Sequence, residues 1–221
     1  MSSAKPTVLY RGIRAAKTRA EILHTAADLA SAEGMEALSI GRLAAQLRMS
    51  KTGIFAHFGS KEQLQLATVD AAKQIFIAQI VTPALTIPRG LPRLQAMLQN
   101  WLSYVEEIIF RGGCFFAAAA AEFDSRPGVV RDKIAELSEA WLAALRDEIA
   151  FAQCQKQLSV AIDPKQLAFE LHAYVQEANW AFKLFNDKSA FSRARRAIAG
   201  RLTSASRTTG SKHETKGKND E

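Results

Sequence analysis

Basic and small polar side chains between Arg42 and Lys61 have the chemistry needed to bind double-stranded DNA. Lysine and arginine donate hydrogen bonds to phosphate oxygens and to guanine O6 and N7, and a threonine methyl can touch the methyl of thymine. Gly53 has no side chain to hinder a close approach to the bases, although glycine is also simply a poor helix former. The candidate DNA-contacting residues are Arg42, Ser50, Lys51, Thr52, Gly53, Phe55, His57 and Lys61.

Two short helices must hold these side chains, and the sequence contains the signals that begin and end them. Ser39 and Ser50 stand where a hydroxyl can accept from an unpaired backbone N–H at a helix start, and Gly59 permits the left-handed backbone that ends the second helix. We therefore predict helices over about 39–47 and 50–58, joined by a tight turn. Such a helix-turn-helix places its second helix in a major groove. A helical hairpin with a purely structural role is the alternative.

The residues around this motif resemble the tetracycline-repressor (TetR) family of bacterial regulators. The resemblance covers roughly residues 17–72, and it keeps the spacing of Ala32-Glu33-Gly34, Leu38-Ser39-Ile40, Met49-Ser50-Lys51, Ile54-Phe55-Ala56-His57-Phe58 and Ser60-Lys61-Glu62-Gln63-Leu64. It implies an all-α protein with an N-terminal three-helix helix-turn-helix DNA-binding domain and a C-terminal helical ligand-binding and dimerisation domain. His57 and Lys61 resemble the family's contacts to the DNA backbone. Two positions depart from the family: Arg48 replaces the usual turn glycine, and Phe55 replaces a tyrosine that commonly contacts a phosphate.

Charge is distributed unevenly along the chain. Residues 1–61 carry nine Lys or Arg and four Asp or Glu, residues 62–192 carry twelve and fifteen, and residues 193–221 carry eight and three. A basic head on a mildly acidic body is typical of a protein that meets a polyanion at one end. The expected regions are a flexible basic arm over 1–14, the DNA-binding domain over 15–75, the effector-binding and dimerisation domain over 76–202, and a disordered tail over 203–221.

Aromatic side chains of the C-terminal part could line a small-molecule site. The resemblance implies an effector pocket among the central helices and a dimer interface on two long helices, which we predict over about 128–157 and 164–186. Each aromatic residue could equally be core packing, and the alanine run 117–121 could either let helices approach closely or leave room for a ligand. The candidates are Trp101, Tyr104, Phe115, Phe116, Phe123, Trp141, Tyr174 and Trp180.

The sequence offers no support for several other classes of function. No apolar run approaches the roughly 20 residues that span a bilayer, and the N-terminus lacks the apolar core of a secretory signal. Cys114 and Cys154 are isolated, as in reducing compartments, and the four histidines have no metal-ligand spacing. We therefore expect a cytoplasmic protein without a metal, a cofactor, a membrane segment or a catalytic centre.

These observations predict a homodimeric transcriptional repressor that binds a palindromic operator and is released by a small, largely apolar effector. Two alternatives stay open. One is a similar regulator without a small-molecule ligand, controlled by a partner protein or by its abundance. The other is a helical enzyme or adaptor in which the helix-turn-helix is incidental.

Overall fold

The computed structural model describes the backbone of residues 6–207 and the side chains of residues 13–206, and this part of the chain is helical without a strand. The helices are α1 (Pro6–Glu33), α2 (Ile40–Leu47), α3 (Lys51–Phe58), α4 (Lys61–Phe76), a π-helical segment (Ile77–Val81), α5 (Thr82–Leu85), α6 (Leu91–Glu106), α7 (Phe115–Phe123), α8 (Val129–Cys154), α9 (Pro164–Phe185) and α10 (Ser189–Arg207). The all-α class is confirmed. None of these helices has both the length and the apolar character to cross a bilayer.

The two terminal helices are longer than the sequence pattern predicts. Helix α1 begins at Pro6, so part of the arm expected over 1–14 is helical. Proline suits a first helical turn because the N–H that it lacks has no intrahelical partner there. Helix α10 runs to Arg207, beyond the predicted end at 202. Residues 1–5 and 208–221 of the expected arm and tail lie outside the described residues.

The first four helices form a head with its own apolar core. Helices α2 and α3 present their apolar sides to α1 and to the start of α4, and the fully buried side chains there are Ile22, Ala26, Leu43, Ile54 and Leu64. Each of the three short connections ends in a serine that caps the next helix. The cap hydrogen bonds run from Arg42 N–H to Ser39 Oγ at 3.2 Å, from Gly53 N–H to Ser50 Oγ at 3.0 Å, and from Gln63 N–H to Ser60 Oγ at 3.1 Å. The predicted caps are therefore confirmed.

The turn between α2 and α3 is built on a left-handed residue. Arg48 has φ 54° and ψ 39°, and it ends α2 where glycine is most easily accommodated. The N–H of Arg48 donates to the Ala45 carbonyl at 3.3 Å, and the N–H of Met49 donates to the Ala44 carbonyl at 2.9 Å. These bonds satisfy the end of the helix while the β-carbon of Arg48 carries the steric strain of that conformation.

Helix α4 leaves the head and continues through the π-helical segment into α5. These later elements, α5 to α10, form the second domain, which we call the body. Phe76, Ile80 and Ala84 are all buried, so this stretch presents every fourth residue to the body core. An α-helix turns once in 3.6 residues, so a strict four-residue repeat would drift around its surface. The wider turn of the π-helical segment offsets that drift and keeps the stretch facing the same core.

Helix α7 and the loop before it connect the body to the head. The Glu122 carboxylate accepts from the backbone N–H of Met35 at 2.7 Å and from that of Glu36 at 2.8 Å, in the loop between α1 and α2. Gly112 lies so close to α1 that an added β-carbon would stand 1.8 Å from the Ser31 carbonyl oxygen. Asp28 of α1 also forms an ion pair with Arg111, at 2.6 Å between Oδ2 and Nε. The head is therefore held against the body by close, directional contacts.

Candidate DNA-binding surface and ligand cavity

The N-terminal turn of α3 faces solvent with its polar side chains exposed. Lys51 and Thr52 are exposed at the start of this helix, whereas Ile54 and Phe58 hold its other side in the head core. None of the ion pairs within the described residues involves Lys51, so its ammonium is available to an external anion. The stem of Lys51 passes about 3.4 Å from where a β-carbon would stand on Gly41 of α2. Close packing of α2 and α3 thus supports the stem of Lys51.

Ser50 and Gly53 act together at the helix start. Because the Ser50 hydroxyl accepts from the Gly53 N–H, its oxygen is already engaged in the cap. A β-carbon on residue 53 would stand 3.1 Å from that oxygen. Gly53 therefore has a packing role in addition to any role in approaching DNA.

Two of the expected DNA-contacting cations already have acidic partners. Arg42 forms an ion pair with Glu33 at the end of α1. Lys61 donates from Nζ to the Glu36 carbonyl at 2.8 Å and to Glu36 Oε2 at 3.0 Å. This hydrogen bond lowers the pKa of the Glu36 carboxyl, so the carboxylate stays charged beside the lysine. Lys61 thereby ties the start of α4 to the loop between α1 and α2, a role that the sequence did not reveal.

Phe55 and His57 lie on different parts of the head surface. Phe55 is 51% exposed on the outer face of α3, where it can reach an apolar surface but cannot donate a hydrogen bond. His57 is half-buried beside the Phe58 ring. The guanidinium of Arg19 lies over the same Phe58 ring, 5.0 Å from its centroid. Arg19 was not among the sequence candidates, because its proximity to α3 depends on how α1 crosses the head.

A cavity of about 310 Å³ lies in the body, between α4 with its π-helical continuation and helices α6 to α9. Four aromatic side chains form most of its wall: Phe76, Trp101, Phe116 and Trp141. Their rings meet edge to face, with centroids 5.0 Å apart for Phe76 and Trp141, 5.4 Å for the two tryptophans, and 5.8 Å for Phe76 and Phe116. Such packing gives a rigid apolar pocket of the size that binds small molecules.

The polar groups at this cavity come from three helices. Lys73 of α4, Ser138 of α8, and His172 and Gln176 of α9 line it. His172 contacts the Trp101 ring, and burial lowers the pKa of its imidazole, which is therefore neutral at pH 7. The indole N–H of Trp141 is buried without a protein acceptor. A few oriented polar groups in an apolar wall are typical of ligand sites.

Only part of the aromatic set predicted from the sequence lines this cavity. Trp101, Phe116 and Trp141 do, whereas Phe115, Phe123 and Tyr104 are buried in the adjacent core. Burial raises the pKa of the Tyr104 hydroxyl, so it is a neutral group within the packed interior. The remaining two residues are on α9: Tyr174 lines a groove against α10, and Trp180 is half exposed on the outer surface.

An apolar face runs along the outer surface of α9. Phe169 is 66% exposed, and the other large exposed apolar side chains of this helix are Trp180, Leu184 and Phe185. The exposed positions of α10 are small or basic, and they include Ser192, Arg193, Arg196, Ala199 and Gly200. By contrast, the exposed positions of α8 include Glu136, Glu139 and Asp147. An exposed apolar face of this kind is typical of an interaction surface.

No other centre of chemistry is evident in the part of the chain that the structure describes. It contains no group of three or more His, Cys, Asp or Glu side chains placed to hold a metal ion. The two cysteines are free, Cys114 buried and Cys154 exposed. The described part of the chain is a helix-turn-helix head joined to a helical body that contains a cavity.

Comparison with known proteins identifies the family. The family model described as "Bacterial regulatory proteins, tetR family" matches residues 22–68. The family model described as "Tetracyclin repressor-like, C-terminal domain" matches residues 90–198. The chain belongs to the TetR family of transcriptional regulators. No curated protein sequence matches it.

Solved structures of TetR regulators share the fold over most of the chain. A regulator from Chloroflexus aurantiacus J-10-FL superposes with a TM-score of 0.76 at 23% identity, covering 86% of this chain and 96% of the other. SCO4454 from Streptomyces coelicolor gives 0.73 at 22% identity, covering 87% and 97%. AibR, solved in complex with isovaleryl coenzyme A and operator DNA, gives 0.65 at 25% identity, covering 82% and 96%.

Proposed function

We propose that this chain is a homodimeric repressor whose two heads bind a palindromic operator and whose body binds a small effector that releases the DNA. The observation that carries the proposal is the exposed start of α3, where Lys51 and Thr52 project from a helix that the Ser50 cap and the buried Ile54 hold in place. In helix-turn-helix proteins the first residues of the second helix contact base edges.

Dimerisation supports this mode of binding because two-fold symmetry matches a palindrome. We assign the interface to α9, where Phe169 and Trp180 are large exposed apolar side chains, together with α10, which packs against it. This assignment differs from the sequence expectation of helices over 128–157 and 164–186. Helix α8 instead forms a wall of the cavity through Trp141 and carries acidic residues outside. The two heads would then reach successive major grooves, ~34–36 Å apart.

Effector binding is assigned to the aromatic cavity. Its wall includes Phe76 from the helix that carries the head, and Phe116 and Ala120 from α7. Helix α7 holds the head through Glu122, so both walls have a direct structural connection to the DNA-binding domain. The related AibR structure contains both isovaleryl coenzyme A and operator DNA, which supports the proposal that this chain binds a small molecule as well as DNA. An effector that prefers the arrangement with displaced heads lowers operator affinity by its differential binding.

The first test is sequence-specific DNA binding by the full chain. Selection from random duplex DNA is expected to recover a near-palindrome whose half-sites are about one helical turn apart. Affinity for it should fall steeply with salt, because lysine and arginine contacts release counterions from the phosphates. Recovery of no preferred sequence would refute the proposal.

A matched pair of lysine variants tests the docking face. Lys51→Ala should weaken operator binding by about 1–3 kcal/mol if this side chain reads guanine, and should relax the preference at one base pair of each half-site. Lys156→Ala removes an exposed lysine from the loop between α8 and α9 and should leave affinity unchanged. Equal affinities for the two variants would exclude the start of α3 as the reading surface.

A further inference from the structure

Among the described residues that line the aromatic cavity, the acidic or basic side chains are of one sign, positive. Lys73 lines it from α4, and no Asp or Glu side chain lines it among the residues that the structure describes. Lys73 also forms no ion pair with any described residue. An ammonium group beside apolar rings gains from an anionic partner because its own hydration there is incomplete. The same charge disfavours a cationic ligand, in spite of the aromatic wall.

The other polar groups at the cavity can also donate to oxygen atoms. The Trp141 N–H is buried and has no protein acceptor, which is uncommon for a buried donor. Gln176 has an amide N–H₂ close to the His172 ring, at 3.5 Å between the two nitrogens. The residues that line the cavity thus bring together a cation on α4 and donor groups on α8 and α9, a set that complements a ligand carrying acceptor oxygens.

The size and shape of the cavity limit the rest of the ligand. At about 310 Å³ it has roughly twice the volume, ~150 Å³, of an apolar cavity that holds one benzene. Its aromatic rings stand edge to face, so their walls favour a flat apolar skeleton. A skeleton of about two fused rings fills the space without reorganising the core.

We infer that the cavity binds a carboxylic acid built on a flat apolar skeleton of about two rings, with its carboxylate paired to Lys73 and its rings between Phe76, Phe116 and Trp141. This inference rests on the proposed role of the cavity as the effector site. It names the ligand class and adds Lys73, Gln176 and the Trp141 N–H to the groups that select it. A neutral ligand of the same shape leaves the Lys73 charge without a partner, which gives the site its preference.

The test compares three probes of one shape with the full-length protein: 2-naphthoate, 2-naphthamide and 2-naphthylmethylammonium. Calorimetric titration should show 2-naphthoate binding about tenfold tighter than the amide, as expected for one charge-assisted contact, and the ammonium binding weakest. Quenching of tryptophan fluorescence gives a second readout, because Trp101 and Trp141 line the cavity.

Variants of Lys73 separate its charge from its packing. Lys73→Met should make the affinities for 2-naphthoate and 2-naphthamide equal, and Lys73→Arg should retain the preference for the acid. Lys156→Met makes the same chemical change at an exposed position in the loop between α8 and α9 that does not line the cavity, and it should behave like the original protein.

Three outcomes overturn the inference. They are equal affinity for acid and amide, tighter binding of the ammonium, and no binding of any probe at millimolar concentration. Retention of the acid preference in Lys73→Met excludes Lys73 as its source. Operator binding is measured on the same preparations without a probe, so loss of DNA binding would count against the proposed function. Intact DNA binding without an acid preference counts against this inference alone.

Discussion

Arg48 holds a side chain in a backbone conformation that suits glycine, at the turn between α2 and α3. A left-handed conformation costs a non-glycine residue roughly 1–2 kcal/mol. Glycine avoids this cost but loses more conformational entropy on folding, so the net gain in stability from glycine is smaller. Arg48→Gly should therefore raise the free energy of unfolding by about 1 kcal/mol in urea titrations. Arg48→Ala keeps the β-carbon and serves as the control. If the glycine and alanine variants were equally stable, the turn would not be strained.

His172 makes stability depend on pH. Burial lowers the pKa of its imidazole, so the unfolded chain binds a proton more readily than the folded chain does. Stability is then highest while the imidazole is neutral in both states, and it should fall as the pH drops below about 6.5. His172→Gln should remove this part of the loss in urea titrations at a series of pH values. An unchanged pH dependence in that variant would assign the loss to other groups.

The cap residues could be predicted from the sequence, whereas the ion pairs of the head could not. Ser39, Ser50 and Ser60 bond to N–H groups three residues away, so the local sequence contains the whole interaction. Lys61 and Glu36 are 25 residues apart, and their contact depends on how α4 packs beside the loop after α1. The sequence around Lys61, an expected DNA contact, therefore gives no sign of the hydrogen bonds that its ammonium donates to Glu36 in the structure.

Helix α7 lines the cavity with one part and contacts the head with its last turn. The Glu122 carboxylate satisfies two backbone N–H groups of the loop between α1 and α2. Glu122→Ala leaves the Met35 and Glu36 N–H groups without this acceptor and should lower the free energy of unfolding by about 1–3 kcal/mol. Hydrogen exchange of those two amides should rise in the same variant.

Glu107→Ala is the matched control for this prediction, because it removes an exposed carboxylate at the end of α6. We expect no change in amide exchange at Met35 or Glu36 in that variant. Faster global unfolding without local exchange in Glu122→Ala would show that the carboxylate stabilises the body rather than its contact with the head.

The elements were largely predictable, and the cavity was not. The limits of α2 and α3 are set by serines, glycines and apolar spacing that lie within a few residues. The cavity is lined from several separate elements, and its membership depends on how those helices rotate against each other. Trp101 and Tyr104 lie one turn apart on α6, yet only Trp101 reaches the cavity. Aromatic content alone could not distinguish them.

At the scale of the whole molecule, the apolar face of α9 makes the proposed dimer testable. Phe169→Asp places a charge in the proposed interface and should shift the protein towards monomer at micromolar concentration in sedimentation experiments. Operator affinity should fall with it, because one head alone loses the second half-site. Leu85→Asp puts the same charge at a 57% exposed leucine of α5, outside this face, and should stay dimeric. A dimeric Phe169→Asp variant would place the interface elsewhere.

Because of its π-helical segment, the helix between the two domains has one residue more than a regular α-helix needs to make the same turn. In a regular α-helix, deletion of one residue rotates everything beyond it by about 100°. Here the buried positions Phe76, Ile80 and Ala84 already recur every four residues, and a wide turn absorbs the excess. Removing the exposed Ala78 would let that turn close into an ordinary one, with the faces on either side kept in phase. We therefore expect deletion of Ala78 to shorten this helix at the cavity wall while the head keeps its orientation towards the body.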